Sequence, residues 1–271
     1  MAHVAHDSVT CATAQGSRES QEDRYVNELF SVGGQQYRFM AVLDGHGGPE
    51  VAQTVSELLP KTFIRVARAV TGIRVSCLLH RTIQTVERAC RTLGSGSTLS
   101  IVCVPYPFKK AHVAVLGDSP VLVLTGGRQY AAPMHNVATN PTELARARAR
   151  GAEYQSAGEQ RGYIGNSRTG YWLQVSRALG DPGAGSTVER MPQLRTYRLN
   201  CETSILLATD GLWSSDEPLE LWRNRMYMML AMNANAQDFV NDGLSRYGKD
   251  NVTALSWHAK VRFYRGRPLA A

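Results

Sequence analysis

The chain has 271 residues, of which 43% are hydrophobic and 20% are charged, and its formal net charge at pH 7 is +7. This composition can fill a sizeable core and excludes an intrinsically disordered chain. No apolar stretch approaches the ~20 residues that a membrane-spanning helix requires, so no membrane span is expected. The positive charge favours acidic or phosphorylated partners. Because the basic residues are dispersed along the chain, nucleic acid is not expected as a partner.

The N-terminal sequence and the cysteines both indicate an intracellular protein. Residues Met1 to Asp7 lack the basic and apolar regions of a secretory signal peptide. The five cysteines are odd in number and contain no CxxC pair, which is typical of reduced cysteines inside the cell. We therefore expect a soluble, monomeric, intracellular protein, cytoplasmic or nuclear. The basic run from Lys260 to Arg267 is expected to be exposed.

Runs rich in β-branched and aromatic residues predict strands in the first part of the chain. The first such run is Ser8 to Thr13, and a Gly33-Gly34 hairpin turn leads into a longer one from Gln36 to Leu43. Two helices are predicted next, over 49–69 and 72–93, because apolar side chains recur there at helical intervals.

The rest of the chain alternates strand and helix patterns in the same way. A second hairpin turn is predicted at Gly126-Gly127, and Ser215 or Asp216 is placed to cap the fourth helix. The methionines from Met226 to Met232 are interpreted as a core face of that helix. Helices between groups of strands imply a layer of helices over a largely antiparallel sheet. The remaining elements are strands over 98–104, 111–116 and 121–124, a helix from Asn140, a strand over 204–208, helices from Ser215 and over 236–247, and a strand over 252–258.

Four acidic segments are spread over the chain, and two of them follow apolar runs that have the pattern of buried strands. A carboxylate at the end of a buried strand is costly to leave charged without a partner, and a shared divalent cation would be that partner for several at once. Hard oxygen ligands suit magnesium or manganese rather than zinc. The pattern therefore predicts a metal-dependent hydrolase. The segments are Gln21-Glu22-Asp23, Asp44-Gly45-His46-Gly47-Gly48, Thr209-Asp210-Gly211 and Lys249-Asp250-Asn251.

The segment that begins at Asp44 carries the sharpest signal. Asp44 could bridge two cations, and Gly45 would let a backbone carbonyl approach one of them closely. His46 would stand beside the metal site, where it could protonate a leaving oxygen. The alternative is a glycine-rich turn after a strand, in which Asp44 caps the helix that starts at Pro49.

The other acidic positions are weaker when each is taken alone. Arg18 precedes Glu22 by four residues and has a planar fork suited to two phosphate oxygens. Taken alone, however, this segment is much better explained as an ordinary charged loop. Asp210 follows a strongly apolar run, so its carboxylate is expected to be buried. Burial favours a place in a metal site over an ordinary turn. Asp250 and Asp118 could each be a turn residue beside a strand.

Taken together, the segments resemble the metal-dependent serine/threonine protein phosphatase family, type 2C. The resemblance covers nearly the whole chain and keeps the family's motif order. It implies an α+β fold, an antiparallel β-sandwich flanked by α-helices on both sides in α-β-β-α layers, with residues 1–271 as a single catalytic domain. The matching stretches are Arg18 to Asp23, Asp44 to Gly48, Gly96-Ser97-Thr98, Gly117-Asp118-Ser119, Val175 to Asp181, Ala208 to Trp213 and Asp250 to Thr253.

The resemblance also implies a binuclear centre of two Mg²⁺ or Mn²⁺ ions. In it, Asp44 would bridge both ions, and Asp210 and Asp250 would complete one site. The carbonyl of Gly45, together with Glu22 acting through water, would serve the other. A water shared by two metals ~3.5–4 Å apart is acidic enough to be hydroxide near neutral pH and is held for direct, in-line attack at phosphorus. No phosphoenzyme is expected.

The remaining roles follow from the same resemblance. Arg18 would hold the phosphate of a phosphorylated protein substrate at serine or threonine, and His46 would be the general acid. Asp118 matches the carboxylate of a third, weaker ion. Asp23 and Asn251 would contact the metal ligands, without binding the ions themselves, and hold those ligands in position.

Some positions depart from the family pattern and leave alternatives open. Pro120 stands where the family commonly has arginine, the usual acidic-His-Lys-Pro turn is not evident in Met134-His135-Asn136-Val137, and the variable flap spans roughly Glu153 to Tyr171. One alternative is therefore a catalytically weak phosphatase-fold protein that regulates or binds a partner. The intact Asp44, Asp210 and Asp250 argue against it, and a basic nucleic-acid-binding module is the third interpretation.

Overall fold

A computed structural model describes residues 4–70 and 72–261 of the chain. The strands are β1 (Val4–Ala14), β2 (Arg24–Val32), β3 (Gln35–Leu43), β4 (Gly45–His46), β5 (Gly96–Ser97), β6 (Leu99–Pro105), β7 (Lys110–Leu116), β8 (Val121–Thr125), β9 (Arg128–Ala131), β10 (Glu153–Ser156), β11 (Gly162–Asn166), β12 (Tyr171–Leu173), β13 (Leu179–Gly180), β14 (Gln193–Arg198), β15 (Ser204–Ala208) and β16 (Val252–Val261). The helices are α1 (Glu50–Ala69), α2 (Val75–Cys90), α3 (Pro141–Ala149), α4 (Leu219–Ala231) and α5 (Ala236–Arg246).

Two five-stranded antiparallel sheets form the centre of the molecule. Their strand orders are β1-β16-β15-β8-β9 and β14-β7-β6-β3-β2. The predicted Gly-Gly turns join β2 to β3 and β8 to β9, and Gly33, Gly34, Gly126 and Gly127 all have positive φ, which glycine adopts without a steric penalty. Two small sheets, β13-β5-β4 and β10-β11-β12, are added to this frame.

The two large sheets pack face to face over a dry core. Met40 and Val42 of β3 contribute to it from one sheet, and Leu207 of β15 and Trp257 of β16 contribute from the other. All four side chains are fully buried, and burying one such large apolar side chain contributes about 1.5–3 kcal/mol to folding. This core is the middle of the sandwich.

Helices cover the outer face of each sheet. On one side, α1 and α2 place Leu59, Phe63 and Ile83 against the second sheet. On the other side, α4 and α5 place Trp222 and Phe239 against the first. Because both faces of the central strands are covered, these strands are apolar almost throughout rather than alternating. The predicted α-β-β-α layers are confirmed.

The start of α4 differs from the prediction. The helix begins at Leu219 after Pro218, without a side-chain cap, so neither Ser215 nor Asp216 caps it. The reason is Pro218, which disfavours helical geometry at the residue before it and so delays the helix. The methionine interpretation is also wrong in part, because Met228 and Met232 are 66% and 80% exposed.

Two groups of strands were not predicted from the sequence. The flap forms the sheet β10-β11-β12, and β14 lies at an edge of the second large sheet. Both are rich in polar residues or glycine and are partly exposed, so they lack the apolar runs that identify the central strands.

Within 4–70 and 72–261, no helix is long and apolar enough to cross a membrane. That residues 1–271 form one catalytic domain stays a prediction. The side chains of the basic run from Lys260 to Arg267 lie outside the described residues.

Candidate active site

Antiparallel pairing in the first sheet brings two of the acidic segments to one edge. Ala208, the last residue of β15, pairs with Ala254 near the start of β16. Asp210 follows β15 and Asp250 precedes β16, so the two carboxylates lie at the same end of the sheet despite being far apart in the chain.

The second sheet contributes Asp44 and Asp118 at the same end of the sandwich. Asp44 follows β3 and Asp118 follows β7, and both strands are neighbours of β6. The Thr98 hydroxyl joins the two segments, because it accepts a hydrogen bond from the Asp44 N–H (3.1 Å) and bonds the Ser119 hydroxyl (2.7 Å). The alternative interpretation, that Asp44 caps the following helix, is wrong because α1 begins without a side-chain cap.

A pocket of about 510 Å³ opens between these strand ends. Nine of the ten predicted site residues line it, and the exception, Asp23, is buried behind it. Tyr163 and Trp172 of the flap form part of its wall and were not predicted as site residues. The nine are Arg18, Glu22, Asp44, Gly45, His46, Asp118, Asp210, Asp250 and Asn251.

Asp44 and Asp210 form the acidic floor of the pocket. Burial raises the pKa of both carboxyl groups well above its usual range, and neighbouring carboxylates raise it further. The two groups are close enough for Asp210, when protonated, to donate a hydrogen bond to Asp44. Two carboxylates in such contact need a shared proton or a cation between them.

Arg18 and Asp250 form an ion pair at the mouth of the pocket. Arg18 Nη2 lies 2.7 Å from Asp250 Oδ2, and the arginine side chain is 59% exposed. The predicted phosphate ligand therefore contacts a predicted metal ligand. An exposed guanidinium in this place is free to exchange its carboxylate partner for a phosphate group.

Asn251 holds the segment that carries Glu22 against the start of β16. Its Oδ1 accepts from the Glu22 N–H (2.8 Å), and its Nδ2 donates to the carbonyls of Gln15 (2.8 Å) and Ser20 (2.9 Å). The Glu22 carboxylate in turn accepts from the Gly48 N–H (3.2 Å). Asn251 thus positions Glu22 without pointing a charge into the pocket.

Gly45 passes so close to the Glu22 segment that no side chain fits. A Cβ placed on Gly45 would lie 2.6 Å from the Glu22 carbonyl oxygen. This glycine is required by the close approach of two backbone segments, which brings the Gly45 carbonyl and the Glu22 side chain to one side of the pocket.

The donor set fits a hard divalent cation. It consists of carboxylate and backbone carbonyl oxygens, which magnesium and manganese prefer. In residues 4–70 and 72–261, no three His, Cys, Asp or Glu side chains are already grouped as a complete metal site. The carboxylates are instead held by Arg18 and by each other, and a cation would take the place of these contacts.

Asp118 lies deeper than the other carboxylates. It is 3% exposed, and its Oδ2 accepts a hydrogen bond from Asn136 Nδ2 (2.9 Å). Burial raises the pKa of this carboxyl group, while the bond from Asn136 opposes the rise. One carboxylate oxygen is thus committed to Asn136, in a residue that lines the pocket.

Asp23 lies behind the pocket and is 3% exposed. Its Oδ2 accepts a hydrogen bond from the Thr209 hydroxyl (2.8 Å), whereas its buried Oδ1 has no partner among the described residues. Burial raises its pKa to about 7, against the opposing hydrogen bond from Thr209. An unsatisfied buried carboxylate oxygen behind a carboxylate cluster is a further sign that the site is built for a cation.

The raised pKa of Asp23 predicts a pH-dependent stability in the metal-free protein. Between pH ~4, the unfolded value, and about 7 the folded state holds a proton that the unfolded state releases. The free energy of unfolding should therefore fall as pH rises through this window, by on the order of 3 kcal/mol from this group.

Urea unfolding between pH 4 and 7.5 in a metal chelator measures this effect. The Asp23→Asn variant should show a smaller fall than the wild type. The exposed Asp216 is the matched control, because Asp216→Asn should keep the full slope. An unchanged slope in Asp23→Asn would contradict the assignment.

Within residues 4–70 and 72–261, His46 forms an ion pair with Asp181. Its Nε2 lies 2.8 and 3.0 Å from the two carboxylate oxygens of Asp181. Asp181 closes the motif from Val175 to Asp181, but no role for it was predicted. The motif that ends at Asp181 was the sequence signal that could have pointed to this residue. The contact between Asp181 and His46 depends on three separate chain segments that come together in the fold.

Comparison with known proteins agrees with this arrangement. The family model described as "Protein phosphatase 2C" matches residues 8–252. "Probable protein phosphatase 2C 45" of Oryza sativa subsp. japonica is 27% identical over 263 residues, covering 94% of this chain and 87% of the relative.

Solved structures share the fold. Serine-threonine phosphatase 2C from Toxoplasma gondii superposes with a TM-score of 0.70 at 19% identity, covering 92% of this chain and 93% of that one. The catalytic domain of the serine threonine protein phosphatase PstP, in complex with 2 manganese ions, gives a TM-score of 0.61 at 17% identity, covering 94% and 98%. The family predicted from the motifs is confirmed, and the chain belongs to the protein phosphatase 2C family.

Proposed function

We propose that this chain is an active Mg²⁺- or Mn²⁺-dependent phosphatase that hydrolyses phosphoserine and phosphothreonine in proteins. The observation that supports it most is the convergence of carboxylates from both sheets with Arg18 and His46 in one pocket. A scaffold has no physical need to gather charges of one sign, since their repulsion and burial cost stability. The same proposal treats the chain as one catalytic domain, monomeric and intracellular.

Two ions would be held by the carboxylates of Asp44, Asp210 and Asp250, by the Gly45 carbonyl, and by Glu22 through water. Asp118 would contribute to a weaker third site. Divalent cations bound there would offset the charge of a phosphate dianion and make a water molecule more acidic. Asn251 and Asp23 would keep these ligands in place from behind.

Arg18 would bind the substrate phosphate. Its guanidinium has a planar fork that matches two phosphate oxygens, and its exposed position at the pocket mouth leaves it accessible to a protein substrate. Its present partner, Asp250, keeps the guanidinium over the pocket until phosphate replaces it.

His46 would donate a proton to the leaving serine or threonine oxygen. An alkoxide is a poor leaving group, so a positioned acid speeds its departure. With water as the nucleophile, the phosphorus–oxygen bond to the side chain breaks as a new bond to water oxygen forms, and no phosphoenzyme is expected.

Phosphate release from phosphopeptides tests this proposal and separates it from the binding-protein alternative. The full chain should release phosphate from phosphothreonine and phosphoserine peptides with Mn²⁺ present, and this release should stop with a metal chelator. Binding of the same peptides without release, at any Mn²⁺ concentration, would instead favour the catalytically weak regulatory protein.

Replacing Arg18 should mainly weaken substrate binding. A charge-assisted hydrogen bond contributes about 1.5–3 kcal/mol, so Arg18→Ala should lower kcat/KM for a phosphopeptide by roughly 10–100-fold, chiefly through KM. The exposed Arg65 of α1 is the control, and Arg65→Ala should change kcat/KM by less than about threefold. A large loss in kcat with an unchanged KM would contradict the role.

A further inference from the structure

The carboxylate of Asp181 is fully buried beside the predicted general acid. It lies within hydrogen-bonding distance of His46 Nε2 through both oxygens, and its Oδ1 also accepts from the Tyr171 hydroxyl (2.5 Å). Among the described residues, His46 is the only basic side chain that forms an ion pair with this carboxylate. Burying a carboxylate destabilises the folded state unless the carboxylate is well paired. The contact with His46 therefore offsets part of the cost of burying Asp181.

The backbone fixes Asp181 in an unusual conformation. Its φ of 53° and ψ of 58° are left-handed, which is uncommon for a residue with a side chain. Its N–H donates to the Ser95 carbonyl (3.0 Å), and its own carbonyl accepts from Arg190 Nη2 (3.0 Å). These two hydrogen bonds anchor the Asp181 backbone at its N–H and at its carbonyl.

The small sheet β13-β5-β4 creates this contact through its register. Gly96 of β5 pairs with His46 on one side and with Gly180, the neighbour of Asp181, on the other. A Cβ on Gly96 would overlap both the Asp181 carboxylate and His46 Nε2. The glycine therefore leaves the space through which the two side chains meet.

We propose that Asp181 is a positioning residue that accepts the Nε2–H of His46 and so directs Nδ1 toward the leaving oxygen of the substrate. The proton given to that oxygen is then the Nδ1–H of the protonated ring, and the ring that remains is the Nε2–H tautomer. The bond fixes both the ring orientation and the tautomer, because a carboxylate accepts a hydrogen bond and cannot donate one. Tyr171 at the start of β12 fills a further acceptor site of the carboxylate and links it to the flap. The catalytic part of this role rests on the proposed phosphatase function, whereas the tautomer does not.

The first test compares substrates whose leaving groups differ in basicity. A serine or threonine alkoxide needs a proton as it leaves, whereas para-nitrophenolate is a weak base and does not. Because a general acid typically contributes 10²–10⁴-fold, Asp181→Asn should lower kcat for a phosphothreonine peptide by about 10–100-fold and for para-nitrophenyl phosphate by less than about threefold. Asparagine is the chosen replacement because it has the same shape and tolerates the left-handed backbone.

Two further variants test whether the loss of kcat in Asp181→Asn depends on His46. Asp181→Asn should cause no additional loss in a His46→Gln background, because the group that it positions is already absent. Gly96→Ala should reproduce the selective loss by forcing the two side chains apart. Equal losses on both substrates, or full additivity with His46→Gln, would overturn the proposal.

A nuclear magnetic resonance measurement tests the same contact without any activity. In the metal-free protein near pH 8.5, two-bond nitrogen–proton correlations should show His46 as the Nε2–H tautomer, with the signal assigned by its absence in His46→Gln. Asp181→Asn should shift the ring toward a mixture of tautomers. A wild-type ring in the Nδ1–H form would overturn the proposal, whereas a wild type with this tautomer but no phosphatase activity would overturn only the proposed function.

Discussion

Replacing Asp44 by asparagine should lower Mn²⁺-dependent phosphate release by more than ~100-fold. Loss of a group that merely supports a metal ligand already costs 10–100-fold, and Asp44 is the carboxylate proposed to contact both ions. Asparagine keeps the shape of the side chain but removes its charge. We expect the loss to persist at high Mn²⁺ concentration, because a neutral amide cannot bridge two cations as a carboxylate does.

The same substitution should make the metal-free protein more stable. Burial and the charges of Asp23 and Asp118 raise the pKa of Asp44, so the charged form is unfavourable in the folded state. Removing that charge should raise the free energy of unfolding by about 0.5–2 kcal/mol, the usual gain when a functional strain is relieved. Mn²⁺ should then stabilise the wild type more than Asp44→Asn.

Thermal unfolding with and without Mn²⁺ measures both effects on the same samples. The exposed Asp216 again supplies the control, because Asp216→Asn should change neither activity nor Tm. A lower Tm for metal-free Asp44→Asn would show that Asp44 has a structural role. Retained phosphatase activity in this variant would contradict its proposed role in holding the cations.

A second large effect is expected at a buried ion pair that is outside the pocket. Glu143 of α3 is 2% exposed and accepts from Arg177 through both carboxylate oxygens, at 2.8 and 2.9 Å, and from the Ser176 hydroxyl at 2.7 Å. Arg177→Met should destabilise the protein by about 3–5 kcal/mol, because it leaves a buried carboxylate without its main partner. This pair fastens α3 to the segment that leads to Asp181.

Arg146 provides a matched control for this prediction. It also contacts Glu143 Oε1, at 2.7 Å, but its side chain is 53% exposed. Arg146→Met should therefore cost less than about 1 kcal/mol, as exposed ion pairs do. Similar losses for the two variants in urea unfolding would contradict the distinction.

The ion pair also has a predictable pH dependence. Burial alone would raise the pKa of Glu143, but hydrogen bonds from Arg177 and Ser176 outweigh it and lower the pKa to about 2. Its contribution to stability should be complete above pH ~4.5, the unfolded value, and should be lost as pH falls toward 2. In Arg177→Met this acid-side loss should largely disappear.

The central fold could be predicted from the sequence because its signals are local. The strand that ends at Leu43 and the strand that ends at Ala208 are apolar runs with clear ends, and Gly33-Gly34 is a strong hairpin signal. The flap strands and β14 escaped prediction because partly exposed, polar strands have no such pattern. Pro218 was present in the sequence, but its effect on the start of α4 competes with an equally plausible cap at Ser215.

The site residues were predictable to the extent that each one ends or begins a strand. Asp44 and Asp210 lie in such places. Antiparallel pairing brings Asp210 to the same end of its sheet as Asp250, and the packing of the two large sheets places Asp44 at that end as well. Asp181 could not be assigned a role from sequence, because its contact with His46 depends on a left-handed turn and on the register across Gly96. Both are properties of the assembled sheet rather than of any one segment.

The measurement that tests the central claim most directly is phosphate release from a phosphothreonine peptide as Mn²⁺ is added to chelator-treated protein. The wild type should be inactive without added metal and should gain activity in a saturable way. Asp210→Asn should need far more Mn²⁺ and reach a far lower rate, because one carboxylate of the proposed centre is missing. Release that persists in the chelator, or an Asp210→Asn curve that matches the wild type, would contradict the claim that these carboxylates hold the catalytic cations.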